Sequence, residues 1–482
     1  MKPSDKFKLT EQQIDKLENI RKEKYKENKN FTQEKLAKDS NVSLDDYKRF
    51  IGKKQGNSVL ERYQIENLAK TLGIQPTDII EPREWKGEKL FKYTKKFDAL
   101  IEEKTRRFVG RKFVFDGFQD FLKNHDRGYF TVVANPGEGK SAIASQYVNK
   151  NPDCIYYFNV RSDSQNRADQ FLDNVCHQLI YRYQLGEDSF SKGANEDGDV
   201  LKELLQTVSE KLSGGEKLII VVDALDEVDL NSQTEGANVL YLPRYLPKNV
   251  YFFLTRRDEE AVKSRLLIEA PAKTLYLKDY SEKSKQDIRA YIRLLVEDDP
   301  EYQEKLRNWI KKQGITRDKF IEEVAQKSEN NFMYLRYVLP QIAAGYYQDL
   351  KLEDLPEGLT NYYRDHWRLM RMDRTKINIV YLLTVIRRPI SRGLIAKFAT
   401  VGELKVSEYT VQDVLREWSQ FLIEDRIEGE SRYKVYHASF ADFLQSDEMV
   451  KAAGVEIRNI HGLIADTLWQ ELYGDEEDGE DE

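Results

Sequence analysis

One segment restricts the fold of this chain more than any other. The residues YFTVVANPGEGKSAIA (129–144) place an apolar run before a glycine-rich loop that leads into a helix-compatible sequence. Gly137 and Gly139 let consecutive backbone N–H groups point into one concavity, and a helix starting at the loop adds a partial positive charge. This pattern predicts a phosphate cradle in which Lys140 reaches the outer phosphates and Ser141 can ligate Mg²⁺. The competing interpretation is a plain glycine turn, and the order strand, loop, Lys-Ser and helix argues against it.

Four further apolar runs follow this segment along the chain. They read CIYYFNV, KLIIVVDAL, NVYFFLTRR and KTLYLKD, and helix-length amphipathic stretches separate them. Short β-rich runs that alternate with helices indicate βαβ units and a parallel sheet. We therefore predict that the core is an α/β P-loop NTPase domain, with a parallel sheet flanked by helices.

Two of these runs end in polar side chains suited to phosphate chemistry. LIIVVDALDEVD ends its strand at Asp223, where a carboxylate can hold a metal through water, and Asp226 and Glu227 can polarise an attacking water. FFLTRR ends at Arg257, whose guanidinium forks onto phosphate oxygens and can sense a γ-phosphate. For each run alone, a solvated strand end or a surface arginine pair is the competing interpretation.

Composition excludes several classes of protein. The chain has 482 residues, five scattered histidines and two cysteines, which are too few for a disulfide framework or a four-cysteine zinc site. No apolar run reaches the ~18 residues needed to span a bilayer, and the N-terminus MKPSDKFKLTEQQ has no apolar signal segment. We expect a cytoplasmic protein with no membrane partner. The net charge of −7 argues against a strongly basic nucleic-acid coat, although residues 1–60 carry fifteen Lys/Arg against ten Asp/Glu.

Residues 31–80 resemble a Cro/repressor-type helix-turn-helix domain. Thr32 can cap the first helix of the motif, and Val42 and Ser43 form the turn and the cap of the next helix. That helix, near 43–51, would be the recognition helix. The candidate DNA-binding residues are Ser43, Lys48, Arg49, Lys53 and Lys54.

The opening of that helix is acidic. Asp45 and Asp46 stand where base-reading side chains normally enter the groove, and their carboxylates should repel phosphate. Two hypotheses for this domain therefore remain open, namely DNA binding and docking of an effector protein.

The motifs together resemble the NACHT branch of the STAND signal-transduction ATPases, in a bacterial NLR-like arrangement. Phe108-Val109-Gly110-Arg111, the ANPGEGKS loop, DALDE and the TRR strand end occur in the family's order, and the resemblance covers about 108–470. Downstream, QKSENNFMYLRYVL, LEDLPEGL and YHASFADFL are similar to the family's helical domain, linker and winged-helix histidine motif. The chain departs from the family by having Asn331-Phe332 where many relatives have Gly-x-Pro, and it carries no array of sensor repeats after the winged helix.

The resemblance implies a role for each matching residue. Asp226 and Glu227 would position hydrolytic water, Arg257 would sense the γ-phosphate, and Ser141 and Asp223 would hold Mg²⁺. His437 would contact the β-phosphate of ADP and lock a closed state. Val109, Gly110 and Arg111 would border the adenine. The whole nucleotide-binding set is Val109, Gly110, Arg111, Pro136, Gly137, Glu138, Gly139, Lys140, Ser141, Ala142 and His437.

The predicted organisation has six parts. They are a helix-turn-helix domain (1–80, all-α), a charged linker (81–107), a NACHT nucleotide-binding domain (108–280), a helical domain (281–370), a winged-helix domain (371–470) and an acidic disordered tail (471–482).

The resemblance implies an ATP/ADP switch that is closed with ADP, and that opens and forms a homo-oligomer on exchange for ATP. Hydrolysis would be slow and would reset the switch. The implied setting is transcription regulation or antiviral defence, with an activating ligand that the sequence does not identify. A plain ATPase motor is a third, less favoured hypothesis.

Overall fold

The chain divides into two compact units in a computed structural model. The first comprises Met1–Asp98 with Asn174–Lys192, and the second comprises Ala99–Asp173 with Gly193–Glu482. No described helix is long and apolar enough to cross a membrane. The structure describes residues 6–27, 32–51, 59–74, 76–80, 93–185, 197–258, 265–347, 349–369, 373–386, 388–400, 405–427 and 429–473.

Residues 6–80 of the first unit contain four described helices around a small apolar core. Thr32 and Ser43 cap the second and third helices, and their hydroxyls accept hydrogen bonds from Lys35 N and Asp46 N. The sequence predicted both caps, and they are confirmed. The helices are α1 (Glu11–Glu27), α2 (Gln33–Asp39), α3 (Leu44–Phe50) and α4 (Arg62–Leu72).

One buried carboxylate ties α1 to α2 and α3. Glu18 accepts hydrogen bonds from Tyr47 Oη at 2.8 Å, Gln33 Nε2 at 2.8 Å and Arg21 Nε at 3.0 Å. Burial alone would raise the pKa of Glu18, but these donors lower it to about 2. The three donors therefore stabilise the ionised form of this buried carboxylate.

The expectation that this region is all-α is wrong. Strands β1 (Lys6–Lys8) and β2 (Val59–Glu61) pair antiparallel, with Lys6 opposite Glu61. Each strand has only three residues, which is too short for an alternating pattern to be visible in the sequence.

The second unit is built on a five-stranded parallel sheet, as predicted. Its spatial order is β4-β5-β6-β3-β7, so β3, the strand before the phosphate loop, lies between β6 and β7. Parallel strands with both faces covered read as continuous apolar runs, and β3, β4 and β6 are buried along their whole length. The strands are β3 (Gly128–Val133), β4 (Ile155–Phe158), β5 (Leu218–Asp223), β6 (Val250–Arg256) and β7 (Ala272–Tyr276).

Helices connect these strands or precede them. The helix that follows the phosphate loop begins at Lys140, directly after Gly139 in left-handed conformation. The helices are α5 (Asp98–Thr105), α6 (Lys112–Asn124), α7 (Lys140–Lys150), α8 (Ala168–Arg182) and α9 (Asp199–Lys211).

A helical segment follows the sheet and returns to the phosphate loop. Asn331 caps its fourth helix, where the Asn331 Oδ1 accepts from Met333 N and Tyr334 N. The helices are α10 (Ser281–Glu297), α11 (Gln303–Lys312), α12 (Arg317–Lys327), α13 (Phe332–Ala344) and α14 (Gly358–Leu369).

The last segment combines six helices with a three-stranded antiparallel sheet of order β8-β10-β9. Its strands are β8 (Ile390–Ser391), β9 (Leu422–Ile427) and β10 (Glu430–Val435). Its helices are α15 (Arg374–Val385), α16 (Arg392–Ala399), α17 (Glu408–Glu417), α18 (Ala438–Leu444), α19 (Asp447–Ala453) and α20 (Ile457–Tyr473).

The final helix corrects one predicted boundary. It continues to Tyr473, three residues into the segment expected to be disordered. The acidic composition that predicts disorder begins only after Tyr473. Residues 474–482 and the linker residues 81–92 lie outside the described part of the chain.

Candidate functional site

The loop after β3 has the backbone of an anion cradle. Gly137 and Gly139 both have positive φ, at 83° and 94°, which only glycine adopts without strain. Lys140, at the start of α7, is buried and turns back onto the loop. Its Nζ donates to Ala134 O at 3.0 Å and Asn135 O at 3.2 Å. Burial lowers the pKa of Lys140, so its cation lies in a place that favours an anionic partner.

The two residues predicted to hold Mg²⁺ line the same cleft. The Thr255 hydroxyl donates to the Asp223 carboxylate at 2.5 Å, and the Ser141 hydroxyl lies close enough to lower the pKa of that carboxylate. Burial raises the pKa of Asp223, and these two hydroxyl groups oppose that rise. Within the described residues, no group of three or more His, Cys, Asp or Glu side chains could hold a metal. A metal here would need oxygens from a phosphate chain as well.

Beside Asp223, a buried amide presents an oxygen with no partner. Asn159 follows β4, and its Nδ2 donates to Asp223 O at 2.7 Å. Its Oδ1 is buried and makes no hydrogen bond. A buried acceptor without a donor is costly, so this amide is arranged for a bound water or ligand rather than for stability.

The acids after β5 have different partners. Asp226 accepts from Arg257 N at 2.9 Å and pairs with Arg257 Nε at 2.8 Å. Glu227 accepts from Arg161 N at 2.9 Å. Burial raises the pKa of Glu227 to about 7, although the Arg161 amide opposes the shift. A carboxyl with that pKa can take a proton near neutral pH.

Arg257 also reaches the last segment of the chain. Its Nη1 lies 2.6 Å from an Asp442 carboxylate oxygen on α18. One guanidinium thus joins a carboxylate after β5 to one in the C-terminal segment.

His437 lies at the start of α18 and faces the same cleft. Ser439 N donates to His437 Nδ1 at 3.1 Å, and the Ser439 hydroxyl is 2.6 Å from that nitrogen. A ring nitrogen that accepts a backbone N–H carries no proton, so the proton of the neutral ring is on Nε2. Burial, with Lys104, Lys140, Arg257 and Arg336, holds the pKa of His437 well below its usual range. The ring is therefore a neutral hydrogen-bond donor.

These groups line one cleft of about 490 Å³. A second cleft of about 500 Å³ adjoins it. The two share part of their walls, including Gly139 and Ala142. From the sequence prediction, the first cleft contains Pro136, Gly137, Gly139, Lys140, Ser141, Ala142, Asp223, Asp226, Glu227, Arg257 and His437.

Two of the three residues predicted to border the base line the second cleft. They are Val109 and Arg111, accompanied by Tyr291 and Tyr302. Arg111 is buried and its guanidinium donates to Ser284 Oγ and Glu138 O, both at 2.7 Å. It therefore holds the phosphate loop against α10 as well as bordering the cleft.

Gly110 and Glu138 do not line either cleft. Gly110 has φ 73°, and a side chain there would collide with Asp287. The Glu138 carboxylate turns back to Asn135 N at 2.7 Å. Both residues shape the backbone around the cleft, which the sequence pattern did not distinguish from direct binding.

Several residues that line the first cleft or contact its phosphate loop were given no site role from the sequence. Asn331 Nδ2 donates to Pro136 O at 3.0 Å, and Phe332 N donates to Gly137 O at 2.9 Å. The chain therefore places a capping asparagine against the phosphate loop at the position of its departure from Gly-x-Pro. Asn159 could have been found from its place at the end of an apolar strand. Lys104 and Arg336 carry no local signal.

The predicted DNA-binding residues lie in the other unit. Ser43 and Arg49 are both engaged by Asp46, which accepts from Ser43 Oγ at 2.6 Å and Arg49 Nη1 at 2.8 Å. Lys48 lies in the last turn of α3. Lys53 and Lys54 lie outside the described residues.

Comparison with protein families gives one match. The family model described as Nephrocystin 3, N-terminal, matches residues 113–257, from α6 to Arg257. The match covers less than a third of the chain, but it includes the phosphate loop, the β5 acids and the arginine strand end. None of the curated proteins matches the chain significantly.

Three solved structures show distant similarity. A Walker-type ATPase of Pyrococcus abyssi has 13% identity, covers 70% of this chain and 96% of its own, and has a TM-score of 0.31. Cdc6p from Pyrobaculum aerophilum has 11% identity, coverages of 74% and 93%, and a TM-score of 0.30. A chain of Drosophila ORC bound to DNA has 14% identity, coverages of 76% and 99%, and a TM-score of 0.26. Scores this low do not establish a shared overall fold.

Proposed function

We propose that this chain is a nucleotide-dependent switch of the NACHT type. In this proposal ADP holds a closed state, exchange for ATP opens it and exposes a surface for homo-oligomerisation, and slow hydrolysis resets it. The observation that carries the proposal is the first cleft, because the phosphate loop and the C-terminal His437 line the same cavity.

The fit to a nucleotide rests on groups that lack a suitable partner within the protein. The loop glycines leave room for phosphate oxygens, the buried Lys140 cation turns to neutral carbonyl groups, and the Asn159 Oδ1 makes no hydrogen bond. The two adjoining clefts give space for phosphates at one end and for a base between Val109 and Tyr291 at the other. Phosphates are recognised by this combination of backbone N–H groups and a lysine.

Ser141 and Asp223 would hold Mg²⁺, the first by its hydroxyl and the second through water. A bound Mg²⁺ would neutralise charge that develops on the phosphates. Thr255 hydrogen-bonds the Asp223 carboxylate and so fixes its orientation. Glu227, with its pKa raised to about 7, is the proposed base for the attacking water. Asp226 is occupied by Arg257, so it orients that arginine toward the cleft.

The proposed closed state has its own contacts. Arg257 pairs with Asp442 at 2.6 Å, and Lys434 on β10 pairs with Asp163 after β4 at 2.5 Å. His437 Nε2–H is available as a donor to the β-phosphate of ADP, and the family resemblance supports that contact. A γ-phosphate would compete with Asp442 for Arg257, since a guanidinium binds phosphate and carboxylate oxygens alike. Exchange of ADP for ATP would in this way weaken the closed state.

The output of the switch would be the N-terminal helix-turn-helix. Two partners are proposed for it, DNA in transcription regulation or an effector protein in antiviral defence. The capped α2 and α3 and the basic surplus of residues 1–60 support DNA. The Asp46 carboxylate, which occupies Ser43 and Arg49, supports a protein partner. A plain ATPase motor lacks a specific observation in its favour.

The test is to follow assembly and ADP release in the full chain. Sedimentation and particle imaging should show a small species with ADP and a larger one with a non-hydrolysable ATP analogue. If His437 donates to ADP, a charge-assisted hydrogen bond worth about 2 kcal/mol is lost in His437→Leu. ADP should then dissociate about thirtyfold faster, because such a loss shifts a two-state equilibrium by that factor.

His125→Leu is the matched control, since His125 ends α6 away from both clefts. It should leave ADP release and assembly unchanged. The switch proposal would be overturned if His437→Leu left the ADP off-rate unchanged and if the same oligomeric species formed with ADP and with the ATP analogue. A lower melting temperature with normal ADP release would make His437 a packing residue.

A further inference from the structure

The end of helix α5 enters the nucleotide cleft, although the sequence places it in a linker. Six residues line both clefts, and they mark the junction between the proposed phosphate end and the proposed base end. They are Glu103, Lys104, Gly139, Ala142, Phe332 and Arg336. Gly139 belongs to the phosphate loop and Ala142 to α7, so the two cations of this set line the same clefts as the backbone that would bind phosphate.

The charges at this junction do not balance. The Glu103 carboxylate accepts from Arg336 Nη2 and, at 2.9 Å, from Tyr436 Oη. Lys104 Nζ lies 3.4 Å from the other oxygen of the same carboxylate. Lys104 Nζ and the Arg336 guanidinium also lie over one ring, that of Tyr436, at 5.7 Å and 5.4 Å. Two cations therefore share a single carboxylate.

Of the two cations, Arg336 has the better partner. It makes a charge-assisted hydrogen bond to Glu103, whereas Lys104 lies beyond ordinary hydrogen-bond distance of that carboxylate. The Lys104 side chain is only 18% exposed. Burial lowers the pKa of Lys104 and the positive charge of Arg336 lowers it further, while Glu103 and Asp223 oppose the shift. An anion placed in the cleft would relieve both effects.

We propose that Lys104 is a further ligand of the phosphate chain of the nucleotide, with Arg336 and Glu103 as its positioning residues. The proposal rests on the proposed nucleotide function of the cleft. It adds a contact from α5, outside the loop, strand and histidine motifs. Nucleotide binding would then fix α5 against α7 and α13 through charge, in addition to apolar packing.

A purely structural ion cluster is the alternative, in which Lys104 only joins α5 to the Tyr436 segment. The two readings differ in which ligands a substitution affects. A phosphate ligand contributes to the binding of ADP and AMP but not to that of adenosine. Loss of a residue with a purely structural role would weaken the binding of all three ligands equally, or would lower only the stability of the protein.

The experiment measures the affinity of the full chain for ADP, AMP and adenosine by calorimetry at one ionic strength. Lys104→Gln should weaken ADP by about tenfold to a hundredfold, the range expected for a lost charge-assisted hydrogen bond. The affinity for AMP should fall less, and the affinity for adenosine should change by less than about twofold. Lys104→Arg keeps the charge and should retain most of the ADP affinity. Lys112→Gln is the matched control, because Lys112 is exposed on α6 and pairs only with Asp116 in the described contacts.

Each outcome decides between the proposals. Equal losses for the three ligands, or unchanged ADP affinity in Lys104→Gln, would overturn the Lys104 assignment and leave the nucleotide function standing. If Lys104→Gln melts at a lower temperature, the ADP-to-adenosine ratio within that variant and the Lys104→Arg variant still report on the charge. Absence of binding of all three ligands to the unaltered chain would overturn the nucleotide function and this assignment with it.

Discussion

Glu18 in the N-terminal unit is buried and Glu227 in the cleft is half-buried, yet their pKa values move in opposite directions. For each, burial favours the neutral acid. Three donors on α1, α2 and α3 lower the pKa of Glu18 to about 2, whereas Glu227 accepts a hydrogen bond from the backbone N–H of Arg161 and its pKa rises to about 7. The ionised Glu18 carboxylate therefore stabilises the folded protein, whereas keeping Glu227 ionised destabilises it.

The same contrast extends to neighbouring groups. In the first unit, Asp46 finds Ser43 and Arg49, so the polar groups of α3 satisfy one another. In the cleft, Lys140 binds only neutral carbonyl groups, and Asn159 Oδ1 has no partner. Groups left in this state destabilise the protein unless a ligand compensates them. Under the proposed function, Asp46 helps to build the fold, whereas Lys140 and Asn159 would contact a ligand.

The largest expected effect tests the cleft side of this comparison. Lys140→Ala removes the cation of the phosphate cradle, so the affinity for ADP should fall by about a hundredfold. Fluorescence titration of the full chain measures this, with Lys112→Ala as the exposed-lysine control. Normal ADP affinity in a folded Lys140→Ala protein would show that the loop is not a nucleotide site.

A paired experiment on the two glutamates tests the comparison itself. Glu18 has a lowered folded pKa, so its stabilisation exists above pH ~4.5 and is lost as the pH falls toward about 2. Glu18→Gln should therefore destabilise the chain at neutral pH, by on the order of 2 kcal/mol, with little effect near pH 2. Glu227 has a raised folded pKa, so its cost is absent below pH ~4.5 and complete above about 7. Glu227→Gln should stabilise the chain at pH 8, and this gain should disappear below pH ~4.5.

Denaturant unfolding across this pH range measures both variants. Each Gln keeps an acceptor oxygen, so the substitutions remove charge more than hydrogen bonding. Destabilisation by Glu227→Gln at pH 8 would contradict the view that this carboxylate is held at a cost. A Glu18→Gln effect that does not depend on pH would assign Glu18 to packing rather than to charge.

The sequence predicted the parts of this architecture that local patterns encode. Five apolar runs became the five parallel strands, and Thr32 and Ser43 cap α2 and α3 as their positions suggested. The spatial order β4-β5-β6-β3-β7 was not predictable, because hydrophobic runs of equal strength do not specify their neighbours. The β1–β2 pair was missed because three-residue strands show no period.

Contacts between distant segments also escaped the sequence analysis. Asn331 against the phosphate loop, Asp442 against Arg257 and Arg336 beside Lys104 join segments far apart in the chain. No periodicity or motif spacing encodes such pairs, since they depend on how whole helices pack. The candidate site was therefore predictable on its loop and strand side, and only partly on the side formed by α5, α13 and α18.

The smallest expected effect concerns helix α3 of the N-terminal unit, where Asp46 already pairs with Ser43 and Arg49. Asp46→Ser removes the carboxylate that holds Ser43 Oγ and Arg49 Nη1. If α3 contacts DNA, release of Arg49 and loss of one negative charge should strengthen binding of the full chain several-fold at low salt, and the gain should shrink as salt rises. Helix stability should fall by less than about 1 kcal/mol, because the Ser43 cap to the backbone at position 46 remains.

Asp39→Ser on α2 is the control, since it removes the same charge from a pair with Lys35. Equal gains in both variants would indicate only a general charge effect, and no DNA binding by any form would favour the effector-protein partner, for which Asp46 is a stable part of the surface.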